Sequence, residues 1–196
     1  MVDPANVTNY RMSQYELEEF ALFSIVVAGK TASTQARLLQ DFLNDIPALF
    51  LGEISPFAKI RYMINGGILR DKLEKSKLGQ YTKIYKAFRE IVMLPIDLRT
   101  CTVEELEAIH GIGPKTARFF ILHSRPNQKV AALDTHILRY MREELGIPTP
   151  KSTPSGKKYA ELEQLFIKHA EDLGRDTAEL DLEIWNRYSK GGNNAQ

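Results

Sequence analysis

Residues 106–141 read LEAIHGIGPKTARFFILHSRPNQKVAALDTHILRYM, and the rest of the chain is read outward from them. A short loop, His110-Gly111-Ile112-Gly113-Pro114, separates two segments of helical period. Leu106 and Ile109 form the apolar side of the incoming segment, and Ala117, Phe120 and Ile121 that of the outgoing one. Two glycines flanking one apolar residue let the backbone turn tightly and approach another group closely. Ile112 then plugs into the helix pair, while the N–H groups of the loop and of the next helix's first turn face outward as a socket for an anion. A phosphate of a nucleic-acid backbone suits that socket. Lys115 follows at once, and Asp134 comes nineteen residues later in Leu-Asp-Thr-His.

The surrounding chain has 196 residues, enough for one domain or two small ones. A hydrophobic content of 43% supports a packed core, and 26% charged residues suit a surface in water. The apolar run from Phe20 to Ala28 is too short to span a bilayer, and the first fourteen residues lack the basic-then-apolar order of a secretion signal. A membrane role is therefore not expected. A single cysteine, Cys101, excludes an internal disulfide and points to a reducing interior, cytoplasm and nucleoid or nucleus. It also excludes a four-cysteine iron–sulfur cluster supplied by this chain. The histidines show no metal-ligand spacing among themselves or with Cys101, so no metal site is expected.

Net charge is +1, but its distribution is uneven. Lys59 to Arg89 holds nine basic residues against Asp71 and Glu74, and Glu161 to Glu183 holds eight acids against Lys168 and Arg175. A basic middle and an acidic tail suit a protein that turns one face to a polyanion. A plain solvated helix surface explains the basic run about equally well.

No alternating strand pattern of useful length occurs, and the spacing predicts about ten helices in an all-α chain. Ser13 to Glu16 and Thr102 to Glu105 both fit capping boxes that open helices. Further helices are expected over 31–44, 59–64, 68–75, 82–93, 115–124, 135–145, 157–173 and 177–188. Asp134 is a candidate N-cap for the helix that begins at Thr135. The stretch 45–57 reads as a proline-containing connection, 146–156 as a linker, and GGNNAQ as a polar tail.

The elements Leu-x-x-Ile-x-Gly-Ile-Gly-x-Lys-Thr-Ala and Leu-Asp-Thr-His together make the chain resemble the helix-hairpin-helix DNA glycosylases, the superfamily of endonuclease III and 8-oxoguanine DNA glycosylase. Residues 104–142 carry the specific part of the likeness. More weakly, Phe23–Arg37 is similar to the family's early helix–turn–helix, Leu78–Ile84 to the turn that enters the duplex, and Asp181–Tyr188 to the last helix. The resemblance implies two helical subdomains flanking a DNA-binding cleft with the hairpin at its edge. One would comprise 15–128, including the hairpin at about 104–124. The other would comprise 1–14 with 129–196 and carry the aspartate.

The resemblance also implies a bifunctional DNA glycosylase and abasic-site lyase of base excision repair, acting as a monomer on duplex DNA. Lys115 would be the nucleophile and Asp134 its electrostatic partner. An amine attacks only when neutral, and an ordinary exposed lysine is protonated at pH 7. A position in the first turn of a helix disfavours the ammonium, and partial burial acts the same way. Attack on C1′ gives a Schiff base, whose acidified C2′ proton permits β-elimination of the 3′ phosphate. His110, Gly111, Gly113, Thr116 and His136 are the implied DNA contacts, with an alkali cation as a possible guest of the hairpin carbonyls. Leu78, Gln80 and Tyr81 are candidates for the wedge that replaces a flipped base. Gly29, Lys30, Phe119, Asp181 and Trp185 are candidates for the pocket rim. The nineteen-residue interval and the missing cluster cysteines lean toward the 8-oxoguanine branch, while the lesion and the opposite base stay open.

Plainer readings stand beside these. Lys115 also reads as a solvated helix-start lysine, Asp134 as a cap alone, Trp185 as core and His136 as a packing residue. A monofunctional glycosylase that uses water is one alternative function, and a hairpin module that binds DNA without chemistry is another. Gly-Lys-Thr at 29–31 lacks the upstream glycine and the strand of a phosphate-binding loop, and is set aside.

Overall fold

The computed structural model describes residues 1–45 and 54–191, with the side chains of the last two left aside. Most of the connection expected over 45–57, and the polar tail after its first glycine, lie outside the described residues. Among the described residues there are ten helices and no strand: α1 (Gln14–Val26), α2 (Ala32–Asn44), α3 (Pro56–Asn65), α4 (Leu69–Lys75), α5 (Tyr81–Met93), α6 (Val103–Glu107), α7 (Pro114–Ser124), α8 (Thr135–Glu143), α9 (Gly156–Asp172) and α10 (Thr177–Gly191). None of the described helices is long and apolar enough to cross a membrane.

Local chemistry sets most of the helix starts. Ser13 Oγ accepts from Glu16 N–H while the Glu16 carboxylate accepts from Ser13 N–H, and Thr102 and Glu105 repeat the exchange at α6. Each box satisfies donors that the first turn leaves idle. Helix α3 begins earlier than the expected 59. Ser55 caps it through Ala58 N–H at 3.2 Å, and Pro56 sits where a first turn tolerates proline.

The chain forms two compact units. The first comprises Met1–Pro4 and Arg11–Gly113, and the second Ala5–Tyr10 and Pro114–Gln196. In the first, α1 packs against α2, α3 and α5. Its residues from Leu17 to Val26 are buried on every side. A helix surrounded in this way tolerates a buried acid only with a donor, and Glu18 has one: its carboxylate accepts from Phe57 N–H at 2.9 Å. Ile84, Ala87, Phe88 and Ile91 carry the inward face of α5.

The second unit packs α10 against α7, α8 and α9. Ile137, Leu138 and Met141 of α8 meet Tyr159, Leu162, Phe166 and Ala170 of α9 with Leu180 and Ile184 of α10. Each of the larger side chains contributes about 1.5–3 kcal/mol by leaving water. Residues 5–10 are tied to this unit: Asn9 N–H donates to His123 O at 3.0 Å, and Tyr10 Oη donates to Asp176 at 3.3 Å. The division expected at 128 therefore moves to Gly113–Pro114. The second hairpin helix belongs with α9 and α10 because its side chains are bonded there, through Arg118 to Glu163 and His123 to Asp181. Of the first fourteen residues, only 5–10 join it.

Candidate active site

Helix α7 carries a column of side chains one turn apart. Lys115 Nζ lies 4.6 Å from the centre of the Phe119 ring, and Phe119 meets His123 edge-on with centroids 4.9 Å apart. Spacing of four residues stacks the three on one face. A cation over an aromatic face is held by the ring quadrupole, so the ammonium has a defined resting place without a carboxylate bonded to it. Lys115 and Phe119 are half-buried and His123 is fully enclosed.

Asp134 is the N-cap of α8. Its Oδ1 accepts from His136 N–H at 2.8 Å and from Ile137 N–H at 2.9 Å, as the sequence leads one to expect. Among the described residues Oδ2 has no such bond, which leaves one oxygen for a second role. The side chain keeps a solvent-facing edge, yet protein encloses the carboxyl closely enough for desolvation to push its pKa up. The Lys115 charge opposes that shift, and the Asp181 charge adds to it. Nucleophile candidate and carboxylate are thus electrostatic neighbours within one unit.

Four residues that sequence reasoning missed hold this arrangement. Tyr159 Oη donates to Ala131 O at 2.7 Å and accepts from Leu133 N–H at 3.1 Å. Glu163 Oε1 accepts from Ala131 N–H at 2.9 Å and from Arg118 Nε at 2.7 Å. Arg118 lies one turn after Lys115, and residues 131–133 lead straight into Asp134, so the helix of one residue and the approach to the other meet at a single buried carboxylate. Thr153 Oγ1 adds a bond to Leu133 O at 2.9 Å. Nothing in the local sequence signals these pairs, whose members stand 20 to 45 residues apart.

In the first unit, the hairpin loop is braced by α5. A β-carbon added at Gly111, where φ is +82°, would lie 2.8 Å from Lys83 Cγ, so both backbone angle and space call for glycine. Gly113 differs: its φ is ordinary and a β-carbon there would meet nothing within 4 Å. Ile112 is buried, and its N–H turns back to Ile109 O. The N–H of His110 donates to the Glu90 carboxylate. The His110 contact expected for DNA is therefore restricted to an exposed imidazole. Burial depresses the pKa of Lys83, and of Lys30, where the neighbouring Lys83 charge adds to it.

Several expected placements change. Leu78 is wholly buried and cannot protrude as a wedge, while Gln80 is exposed and Tyr81 half-buried. Lys30 donates to Leu78 O and so props the 77–80 loop from beneath, with Gly29 exposed beside it. Thr116 is buried, leaving only its backbone N–H, in the helix's first turn, for a DNA contact. Asp181 is enclosed and bonded to His123 at 3.2 Å, so it lies behind the surface and not on a pocket rim. Trp185 is half-buried with His136 edge-on to it at 6.4 Å. Phe119 keeps an open side beside Lys115.

An all-helical chain in which a glycine hairpin runs directly into a lysine, with a helix-capping aspartate lying within the field of that lysine's charge, has the frame of a helix-hairpin-helix DNA glycosylase. Residues 31–175 match the family model of 8-oxoguanine DNA glycosylase, and the chain belongs to that family. It is 39% identical over 77 residues to an 8-oxoguanine DNA glycosylase/AP lyase of Methanocaldococcus jannaschii, a match that covers 39% of this chain and only 37% of that protein. The crystal structure of the 8-oxoguanine glycosylase/lyase of the same organism, with a 15-mer DNA containing 8-oxoguanine, superposes with a TM-score of 0.67 at 26% identity. That superposition covers 95% of this chain and 86% of the other. The 8-oxoguanine DNA glycosylase of Thermotoga maritima shares the fold, with a TM-score of 0.64 at 23% identity over 88% of this chain and 79% of that one.

Proposed function

We propose that the protein is a bifunctional DNA glycosylase and abasic-site lyase that removes an 8-oxoguanine-type base from duplex DNA. The observation that supports the reading is that Lys115, over the Phe119 ring, and Asp134, an N-cap with one oxygen to spare, belong to one compact unit, with the carboxyl within the field of the lysine's charge. The substrate follows from the family and from the named substrate of the relatives.

In this mechanism Asp134 takes a proton from the Lys115 ammonium through the oxygen that does not cap α8. The neutral amine forms a bond to C1′ as the C1′–N bond breaks, and the base departs with that electron pair and with the proton that Asp134 had taken, which leaves the carboxylate ionised again. Sugar-ring opening gives a Schiff base on Nζ. Loss of a C2′ proton then expels the 3′ phosphate as the C3′–O bond breaks. Phe119 offers an aromatic face next to the amine for the flipped base. Gln80 or Tyr81 fills the gap left in the stack. Gly113, with open space beside it, is where a backbone phosphate approaches the loop.

Borohydride added during incubation with a duplex carrying 8-oxoguanine traps the Schiff base. A covalent protein–DNA adduct that disappears in Lys115→Gln is expected. Base release without an adduct would instead mean that water is the nucleophile, and DNA binding without either would mean a module without chemistry.

A further inference from the structure

The first unit holds a cation that none of the steps above uses. Lys83 stands in the first turn of α5, just after the exposed tip of the 77–80 loop, and its stem runs across the hairpin backbone at Gly111. A β-carbon placed on Gly111 would lie 2.8 Å from Lys83 Cγ, 3.1 Å from Cε and 3.5 Å from Cδ. Packing along three carbons sets the direction of the side chain, so the ammonium ends beside the hairpin while the stem is covered. Two turns further along α5, about 10 Å at 1.5 Å of rise per residue, the Glu90 carboxylate accepts from His110 N–H. Helix α5 thus grips two adjacent residues of the loop, one through an acid that is already engaged and one through a cation that is not.

The cations around it differ. Arg70 is paired with Glu74 at 2.5 Å and Lys72 with Asp45 at 2.6 Å, while Lys75, Lys77 and Lys86 are exposed and solvated. Lys83 is half-buried, and among the described residues its ammonium has neither a hydrogen bond nor an ion pair. Its charged neighbour is a second cation: Lys30, also half-buried, donates to Leu78 O and would lie 3.6 Å from a β-carbon on Gly79. Burial pushes both lysines down in pKa, and the Lys83 charge adds to the shift of Lys30. The positive end of the α5 dipole also disfavours a cation at this place, and Gln80 caps the turn with no side-chain bond. A half-buried ammonium so placed is costly to keep until an anion reaches it.

We propose that Lys83 binds one backbone phosphate of the DNA duplex on the α5 side of the hairpin, beside the phosphate that approaches Gly113. The proposal rests on the reading of the protein as a glycosylase that engages duplex DNA, and not on the chemistry of Lys115. An ammonium is a compact point charge, which suits a phosphate that is held for register and not for sequence. Gly111 has a second reason in this arrangement: any side chain there would displace the Lys83 stem and swing its ammonium off the loop. Lys30 stays on Leu78 O and adds to the positive field without touching the phosphate. Lys83 follows Gln80 by three residues, so the same contact sets the duplex against the loop whose side chain fills the gap in the stack.

The test is the salt dependence of equilibrium binding to a duplex carrying a tetrahydrofuran analogue of an abasic site, which lyase chemistry cannot open. Wild type is compared with Lys83→Met, Lys83→Ala and Lys83→Arg. Methionine keeps an unbranched stem against Gly111 and removes the charge, whereas alanine removes both. Each phosphate neutralised adds about 0.9 to the steepness of log affinity against log salt, so Lys83→Met and Lys83→Ala should both be shallower by about that amount. Their affinity should fall roughly five- to tenfold at about 0.1 M salt and converge on wild type toward about 1 M. Lys83→Arg should keep the wild-type slope. An unchanged slope in Lys83→Met overturns the proposal and leaves Lys83 as a brace for the hairpin. A slope that falls as far in Lys83→Arg overturns it too, because charge is then not what binds. Free Lys83→Met should melt no lower than wild type, since the charge it loses has no partner before DNA arrives. A lower melting temperature, or failure to fold, would reveal a partner within the chain and refute the phosphate role. Wild-type protein that binds the duplex with no salt dependence would sink the duplex-DNA reading itself, and Lys83's role with it.

Discussion

The loop at 77–80 and the segment at 131–134 each lead into a helix, and they do so by opposite means. The loop is built from strained backbone: Lys77, Gly79 and Gln80 all have positive φ, at 60°, 68° and 49°, and Gln80 caps α5 with no side-chain bond. One buried anchor, Leu78, and one ammonium beneath it hold the loop, and its tip is exposed. Residues 131–134 are tied at nearly every step, by Tyr159, Glu163 and Thr153, until Asp134 opens α8 with two bonds. The first arrangement lifts a side chain into solvent, where it can adapt to DNA. The second fixes one carboxylate oxygen to within hydrogen-bond tolerance, which proton transfer and charge stabilisation require.

Removing the chemistry from the rigid segment without loosening it is expected to have the largest effect. Asp134→Asn keeps the cap, since asparagine is as good an N-cap as aspartate. Turnover should fall by about 10²–10⁴-fold, the span of a lost general base, with DNA binding retained. Stability should move the other way. Because burial raises the folded pKa of Asp134, its favourable contribution is complete below the unfolded value, about 3.9, and is lost as pH rises through the folded value. The variant's melting temperature should therefore gain on wild type from pH 4 toward neutrality. A gain that ran the opposite way would mean that Asp134 is not desolvated. Near-normal turnover would remove its assigned role.

Loosening the same segment is the next step down. Tyr159→Phe strips the donor from Ala131 O and the acceptor from Leu133 N–H in a buried place, at a cost of about 1–3 kcal/mol. If the bonds position Asp134, chemical denaturation will register that loss and adduct formation will slow by more than DNA affinity falls. Equal losses in both would reduce Tyr159 to a core residue. The smallest change belongs to the strained loop. Gln80→Gly removes a side chain from a left-handed position and is expected to be neutral or stabilising by less than about 1 kcal/mol. Base release from duplex DNA should nevertheless decline, while release from a flexible mismatched site declines less. A clear loss of stability would show that Gln80 makes contacts its exposure hides.

The contrast between the two regions explains what could be read from residues alone. The capping boxes at Ser13 and Thr102 and the cap at Asp134 each lie within three residues of the groups they bond, so their chemistry is written locally. The Gly111 turn is local too, although the reason glycine is needed there includes Lys83, which no motif announces. Leu78 went astray because an apolar residue in a turn reads the same whether it points out or in. Asp181 went astray because its partner His123 is 58 residues away. The donor that lets Glu18 be buried in α1, Phe57 N–H, likewise stands 39 residues away.

By itself, then, the sequence determined the all-helical class, the hairpin, the capped aspartate and the lysine ahead of it, because periodicity, caps and turns act over a few residues. Tertiary structure alone decided that Lys115 and Asp134 share an electrostatic environment and that Arg118, Glu163 and Tyr159 hold it in place. It also decided that Thr8, His123 and Asp181 stand behind it. Those pairings join residues up to 115 positions apart, and they are worth forming only where burial has already removed water from both partners.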